Sequence, residues 1–186
     1  MSYRTANYAA FYVTEPFLPT NIRANTAQDF RYYRLLQAWE EEDRSFTFVD
    51  AHAKTYNVRD GSEWKWLKNQ LHQRLNVSKN MILFLSEYTK NSRALREEID
   101  YGINKKGLPV IVIYPDFKEI TDIISSGRIR QEVENLWNKL PVFRDNMNKV
   151  ATLHVPINKM IIFKALRDRD FTVQTMKSPG VYYYPS

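Results

Sequence analysis

The sequence predicts an α/β domain: a doubly wound, five-stranded parallel sheet with helices on both faces. Three observations predict it. Two short apolar runs, Met81–Leu85 and Val110–Tyr114, are continuous rather than alternating, as strands covered on both faces require. Segments with helical periodicity separate the strand-like runs along the whole chain, the pattern that builds parallel sheets. Finally, 186 residues with 44% hydrophobic and 14% aromatic content suffice for one well-filled core with extra surface elements.

The elements follow in order. Asn7–Val13 (NYAAFYV) is the first strand, stopped by Thr14-Glu15-Pro16, and a loop over Glu15–Asn25 follows. Thr26 and Asp29 resemble a capping box, and beyond it Phe30, Tyr33, Leu36 and Trp39 recur at helical spacing. The acids of Glu40–Asp43 sit where the helix dipole disfavours them, which marks a frayed, solvated end. Ser45–Asp50 (SFTFVD) is β-branched and aromatic, hence a second strand, and Ala51–Gly61 is a polar loop. Asp60 with Glu63 caps the next helix, whose apolar stripe is Trp64, Leu67, Leu71 and Leu75. Met81–Ser86 is the third strand. Ser92 caps a helix over Arg93–Lys105, which Gly107 and Pro109 stop. Val110–Tyr114 is the fourth strand, Arg128–Lys139 a helix, Ala151–Val155 the fifth strand and Asn158–Arg167 the last helix. The tyrosine-rich tail, residues 178–186, is expected to be an ordered arm or a partner contact beside a single domain over residues 1–177.

A flavodoxin-like strand order, 2-1-3-4-5, fits this count. Its ligand crevice opens between strands one and three, beyond their carboxyl ends, where the loops Thr14–Asn25 and Ser86–Asn91 lie. Right-handed crossovers are expected.

Composition removes several functions. Cysteine is absent, which excludes disulfides, thiolate metal sites and cysteine nucleophiles. The glycines at 61, 102, 107, 127 and 180 are too dispersed for a Walker loop or a dinucleotide fingerprint. Asp50 and His52 lack a third ligand nearby, so no metal site is expected. No Gly-x-Ser-x-Gly elbow occurs. The net charge of +6 suits an anionic partner such as a nucleotide, or simply a solvated mixed-charge surface; nucleic acid is the less favoured partner. No apolar run reaches bilayer length and no signal-peptide pattern opens the chain, so a soluble cytoplasmic protein without a membrane partner is expected.

The residue of greatest interest is Glu98. In its helix Leu95, Ile99, Gly102 and Ile103 form the sheet-facing stripe, and Glu98 lies about 60° from the middle of that stripe. It is therefore a boundary carboxylate, whereas Glu97 and Asp100 project toward solvent. An acid early in a helix is also stabilised by the dipole and needs no other role. Asp50, Thr14 and Ser86 end strands on the same sheet edge and are placed to meet ribose or phosphate, or merely to terminate strands. Arg93 is placed to meet a diphosphate, or is solvated. Trp64 reads as core and Trp66 as a partly exposed aromatic, though with Tyr56 and Arg59 they form a group that could stack on a base.

The segment KNSRALREEIDYGINKKGLPVIVIYPD resembles the third-helix region of TIR and TIR-like domains, where Ser-x-Trp-x-x-x-Glu precedes a small residue and a strand. The matching residues are Ser92, Ala94 and Glu98. AAFYV, ANTAQDFRYYRLLQAWEE and SFTFVDAHAKTYNVRDGSEW agree with the earlier elements. The similarity spans roughly residues 8–116 and is greatest to the TIR-like proteins of bacterial Thoeris anti-phage systems. It implies cleavage of the nicotinamide–ribose bond of NAD, bound as substrate rather than cofactor, and a cyclic or rearranged ADP-ribose signal read by a separate effector. It further implies Glu98 as the catalytic carboxylate on the ribose hydroxyls, and self-association or a phage-derived protein as the trigger. The motif tryptophan is Ala94 here. Tyr101, Tyr12, Tyr56 or a neighbouring subunit is expected to supply the missing aromatic. A non-catalytic TIR-like interaction module and a nucleoside deoxyribosyltransferase relative are the alternatives.

Overall fold

The computed structural model describes residues 4–12, 28–51 and 64–185. β1 (Ala6–Ala10) is followed by α1 (Gln28–Glu42), α2 (Trp64–Val77) and β2 (Ser78–Phe84). Next come α3 (Arg93–Asp100), continued by a π-helical turn at Tyr101–Lys105, and β3 (Val110–Tyr114). A short α4 (Ile120–Ile123) precedes the hairpin of β4 (Ile124–Ser125) and β5 (Arg128–Ile129). α5 (Gln131–Trp137), α6 (Pro141–Arg144), β6 (Ala151–Pro156), α7 (Lys159–Arg167) and β7 (Gly180–Tyr183) complete the chain.

The main sheet has five strands in the order β1-β2-β3-β6-β7, and every pairing is parallel. Four of the expected strands lie side by side as anticipated. The second expected strand, Ser45–Asp50, does not form a ladder. It contributes a single parallel bridge, Asp50 to Asn7, on the outer side of β1. Phe46 and Phe48 are buried there all the same. The fifth strand comes instead from the C-terminal tail: β7 pairs with β6 from Ala151↔Gly180 to His154↔Tyr183. The expected helix at Arg128–Lys139 begins later, because Arg128 and Ile129 are taken up by the hairpin. The first rim loop and the two expected caps at Thr26 and Asp60 lie outside the described residues.

Alternate residues of each strand enter opposite cores, as the period of two demands. Tyr8, Ala10, Met81, Leu83, Leu85, Val110 and Val112 face α2, α3, α5 and α6. Ala9, Ile82, Phe84, Ile111, Ile113, Leu153 and Val155 face α1 and α7. On the first face the π-helical turn that continues α3 approaches β2 closely at Gly102. A Cβ there would stand 2.2 Å from the Met81 methyl carbon, so the helix could not settle at this depth with a larger residue unless Met81 moved.

Buried polar groups are placed in pairs. Asn7 and Asn80 hydrogen-bond across β1 and β2 at 2.7 Å. A longer chain ties the tail to the core. The Trp137 indole N–H donates to the Tyr114 hydroxyl (2.7 Å), which pairs with His154 Nδ1 (2.6 Å). His154 Nε2 meets Thr152 Oγ1 (3.3 Å), which donates to the Gly180 carbonyl of β7 (3.1 Å). Donor and acceptor order closes only if His154 is neutral with its proton on Nε2. Burial pushes its pKa down to about 3, in keeping with that form. No helix among the described residues is long and apolar enough to cross a membrane.

Candidate functional site

α2 and α3 lie side by side on the first face and run parallel, locked by contacts four residues apart. The Arg93 guanidinium sits 4.0 Å from the Trp64 ring. One turn on, Lys68 and His72 both meet Glu97 Oε1, at 2.9 and 2.8 Å. A further turn on, Tyr101 stacks on His72 with centroids 3.5 Å apart and donates to Asn76 Oδ1 (3.1 Å). Positions 93, 97 and 101 share one helix face at this spacing, and that face is turned to α2.

Position 98 is rotated from that seam toward the sheet. Ser92 caps α3, its side chain accepting from the Leu95 N–H (3.3 Å). Glu98 follows about 8 Å below the start of α3 at 1.5 Å per residue. It is only 9% exposed, deeper than the helical wheel alone indicated. The wheel omits the packing of α3 against β1, whose Tyr8 is fully buried on the same face. Arg74 of α2 acts on the same carboxyl through its charge. Glu98 Oε2 is sealed from solvent and meets no hydrogen-bond partner among the described residues.

Burial pushes the Glu98 pKa up to about 8, while the Tyr8 hydroxyl and the Arg74 charge pull it back only in part. The carboxyl is thus mostly protonated at neutral pH, a state set by its surroundings and reversible by an approaching cation. A buried acid with one idle oxygen, on a helix packed against β1, can answer positive charge, and it can accept sugar hydroxyls once the side chains around it move aside.

The other expected residues divide between this site and elsewhere. Tyr12, beyond the end of β1, packs on the same core face, with Lys90 Nζ 5.9 Å from its ring. Ala94 lies one turn above Glu98 and is half-buried. Arg93 marks the rim but rests on Trp64. Tyr101 is committed to the α2 seam, roughly 12 Å along the helix axis from Arg93, and is not brought to the rim. Ser86 is fully buried and organises its own loop, donating its N–H to Thr89 Oγ1 (2.9 Å) and accepting from the Tyr88 N–H (3.2 Å). Asp50 turns to the second face, where Oδ2 accepts from Tyr33 (2.6 Å) and Gln37 (3.1 Å). Thr14 and Tyr56 lie outside the described residues.

Two expectations are corrected. Glu97 is not free in solvent; its ion pairs place it in the helix seam. Trp64 is partly buried rather than in the core, with the Arg93 guanidinium against its ring. Tyr8 and Arg74 were not singled out from sequence. The signal for Tyr8 was present: Tyr8, Ala10 and Tyr12 alternate along one strand face, with a small residue between two aromatics.

A family model described as Thoeris protein ThsB, TIR-like domain, matches residues 8–120 of the chain. The matched stretch contains every residue of this site.

Proposed function

Because the chain belongs to the TIR-like domain family of the Thoeris protein ThsB, we propose that it cleaves the nicotinamide–ribose bond of NAD and passes the ADP-ribosyl group to a signalling product in anti-phage defence. The observation that carries this reading is the sealed Glu98 carboxyl with an unpartnered Oε2.

The chemistry follows from charge. The nicotinamide ring of NAD is cationic, and its arrival favours the carboxylate form of Glu98 over the neutral one. The ionised group accepts hydrogen bonds from the hydroxyls of the adjacent ribose. As the bond from C1′ to the ring nitrogen breaks, its electron pair stays with nitrogen and neutral nicotinamide departs. The positive charge moves to C1′ and the ring oxygen, where a nearby carboxylate stabilises it. Nicotinamide leaves neutral, so no second acid is required. Water at C1′ gives ADP-ribose with release of a proton, and a nucleophile elsewhere in the same molecule gives a cyclic product. In this reading Arg93, resting on Trp64, meets the diphosphate.

The test is incubation of the purified protein with NAD, alone and with lysate from phage-infected cells, followed by chromatography and mass spectrometry. Nicotinamide release that Glu98→Gln lowers by about a hundredfold or more supports the reading. No release under any condition points to an association module. Release of free base from deoxynucleosides points to deoxyribosyl transfer.

A further inference from the structure

The two edges of the main sheet are finished differently. On the outer side of β1 the Asn7 N–H donates to the Val49 carbonyl (2.6 Å), and the Asn7 carbonyl accepts from the Ala51 N–H (3.0 Å), so the chain around Asp50 occupies that edge. β7 forms the opposite edge. Its inward-facing groups are marked by their contacts: the Gly180 N–H donates to the Val150 carbonyl (3.0 Å), and the Gly180 carbonyl accepts from Thr152 Oγ1 (3.1 Å). Backbone polar groups alternate sides along a strand, so Tyr182 also faces β6, while the N–H and C=O groups of Val181 and Tyr183 point away from the sheet. Among the described residues no loop or strand meets them.

The side chains of this strand are anchored to the body. Val181 and Tyr183 pack on the first face, Tyr182 and Tyr184 on the second. The Tyr183 hydroxyl donates to the Gly127 carbonyl, and the Tyr182 hydroxyl to the Ser178 carbonyl (2.9 Å). Phe171 meets the Tyr182 ring edge-on at 5.8 Å, and Lys177 Nζ lies 4.5 Å from its centroid. The strand is thus held rigidly with its backbone edge open. Open edges are commonly guarded by charge, yet residues 178–185 carry none. Pro179 and Pro185 stand only at the ends, where they confine any further pairing to β7 itself.

We propose that β7 is the seat of a symmetric dimer: β7 of a second copy of this chain pairs with it antiparallel, about a two-fold axis beside Tyr182, so that two five-stranded sheets become one. The register follows from which groups are free. Val181 of each copy lies opposite Tyr183 of the other, and each such pair exchanges both of its N–H···O=C bonds. Tyr182 then meets its counterpart as the closer, non-hydrogen-bonded pair, an aromatic contact on the second face. A second copy fits this edge better than an extended peptide, because its strand is already ordered and loses little chain entropy on docking. Since the chain around Asp50 occupies the other edge, the pairing is isologous and stops at two copies. The inference goes beyond the reading of Glu98 and does not depend on it.

The experiment has two arms. The first is analytical ultracentrifugation of the full chain from roughly 1 to 300 μM. Wild type should pass from monomer to dimer within that range. Val181→Pro removes only an outward N–H, a loss that an edge strand tolerates, and should raise the dimer dissociation constant by about tenfold or more. A protein that stays monomeric throughout overturns the proposal, as does a dimer that Val181→Pro leaves unchanged.

The second arm needs no variant, which covers the case in which Val181→Pro folds poorly. Amide hydrogen exchange of wild type is read residue by residue by NMR at both ends of that concentration range. The Gly180 and Tyr182 amides should exchange slowly at both ends. The Val181 and Tyr183 amides should slow by about tenfold or more at the high end alone. Free exchange of Val181 and Tyr183 in a dimer places the interface elsewhere and overturns the proposal. Slow exchange of both in a monomer means that the chain covers its own edge, and overturns it likewise.

Discussion

Replacing Glu98 with glutamine should raise the stability of the fold relative to wild type progressively as the pH rises. In the folded protein Glu98 titrates near 8, against about 4.5 when exposed. A carboxyl with a raised folded pKa binds its proton more tightly when folded. Its protonated form is tolerated up to pH 4.5, and stability then falls as the pH rises toward 8, because the unfolded chain ionises freely and the folded one does not. Linkage between these two values gives a loss of about 4 kcal/mol in wild type between pH 5 and 8.5 that the variant lacks. That is a large part of the stability of an ordinary domain. Glutamine keeps the shape but carries an amide whose unmet N–H groups cost about 1–3 kcal/mol at every pH. The sign at a single pH is therefore less informative than the change with pH. Urea denaturation of both proteins at pH 5, 7 and 8.5 measures it. The midpoint of the variant should rise relative to wild type at each step. Parallel curves at all three values would refute the burial argument, and with it the claim that Glu98 is held ready against its preference.

Three further outcomes follow. His154 is held neutral with a folded pKa near 3 against an unfolded value of 6.5, so its contribution is present above pH 6.5 and lost as the pH falls toward 3. Wild type should lose about 2 kcal/mol between pH 7 and 5 that His154→Gln does not lose, read by denaturant melts; identical slopes contradict the neutral tautomer. Ser92→Ala removes the cap of α3 and should cost about 1 kcal/mol, whereas a loss below about 0.3 kcal/mol means that the cap is replaced by water. Trp64→Ala removes the shelf under Arg93, a contact of about 1 kcal/mol, and should raise KM for NAD roughly fivefold with kcat little altered. An unchanged KM would place the diphosphate elsewhere.

What the sequence revealed depended on how local the cause was. β2, β3 and α3 with its cap were legible because apolar continuity, helical spacing and a capping serine are written in adjacent residues. Glu98 was legible as a position on a wheel, but its depth was not. That depth is set by the packing of α3 on β1, a strand distant in sequence that meets the helix only in the folded chain. The parallel register of α2 and α3 was hidden for the same reason, so Glu97 and Tyr101 read as available when each was already engaged by His72. Ser45–Asp50 has the composition of a strand, yet burial of Phe46 and Phe48 is achieved without a ladder; β-propensity records a fit to a half-buried surface, not the presence of a partner strand. β7 was missed because prolines flank it and its glycine and tyrosines suggest an arm. An edge position tolerates such boundaries, and the Thr152–Gly180 contact holds the strand in place.

The most direct measurement is a crystal structure with carba-NAD, in which the ribose ring oxygen is replaced by carbon so that the bond survives while the hydroxyls remain. The account places a hydroxyl of the nicotinamide-side ring within hydrogen-bond distance of Glu98 Oε2, with the nicotinamide beside Tyr12 and Ala94. Nucleotide bound elsewhere, with Oε2 still unpartnered beneath it, would contradict the account.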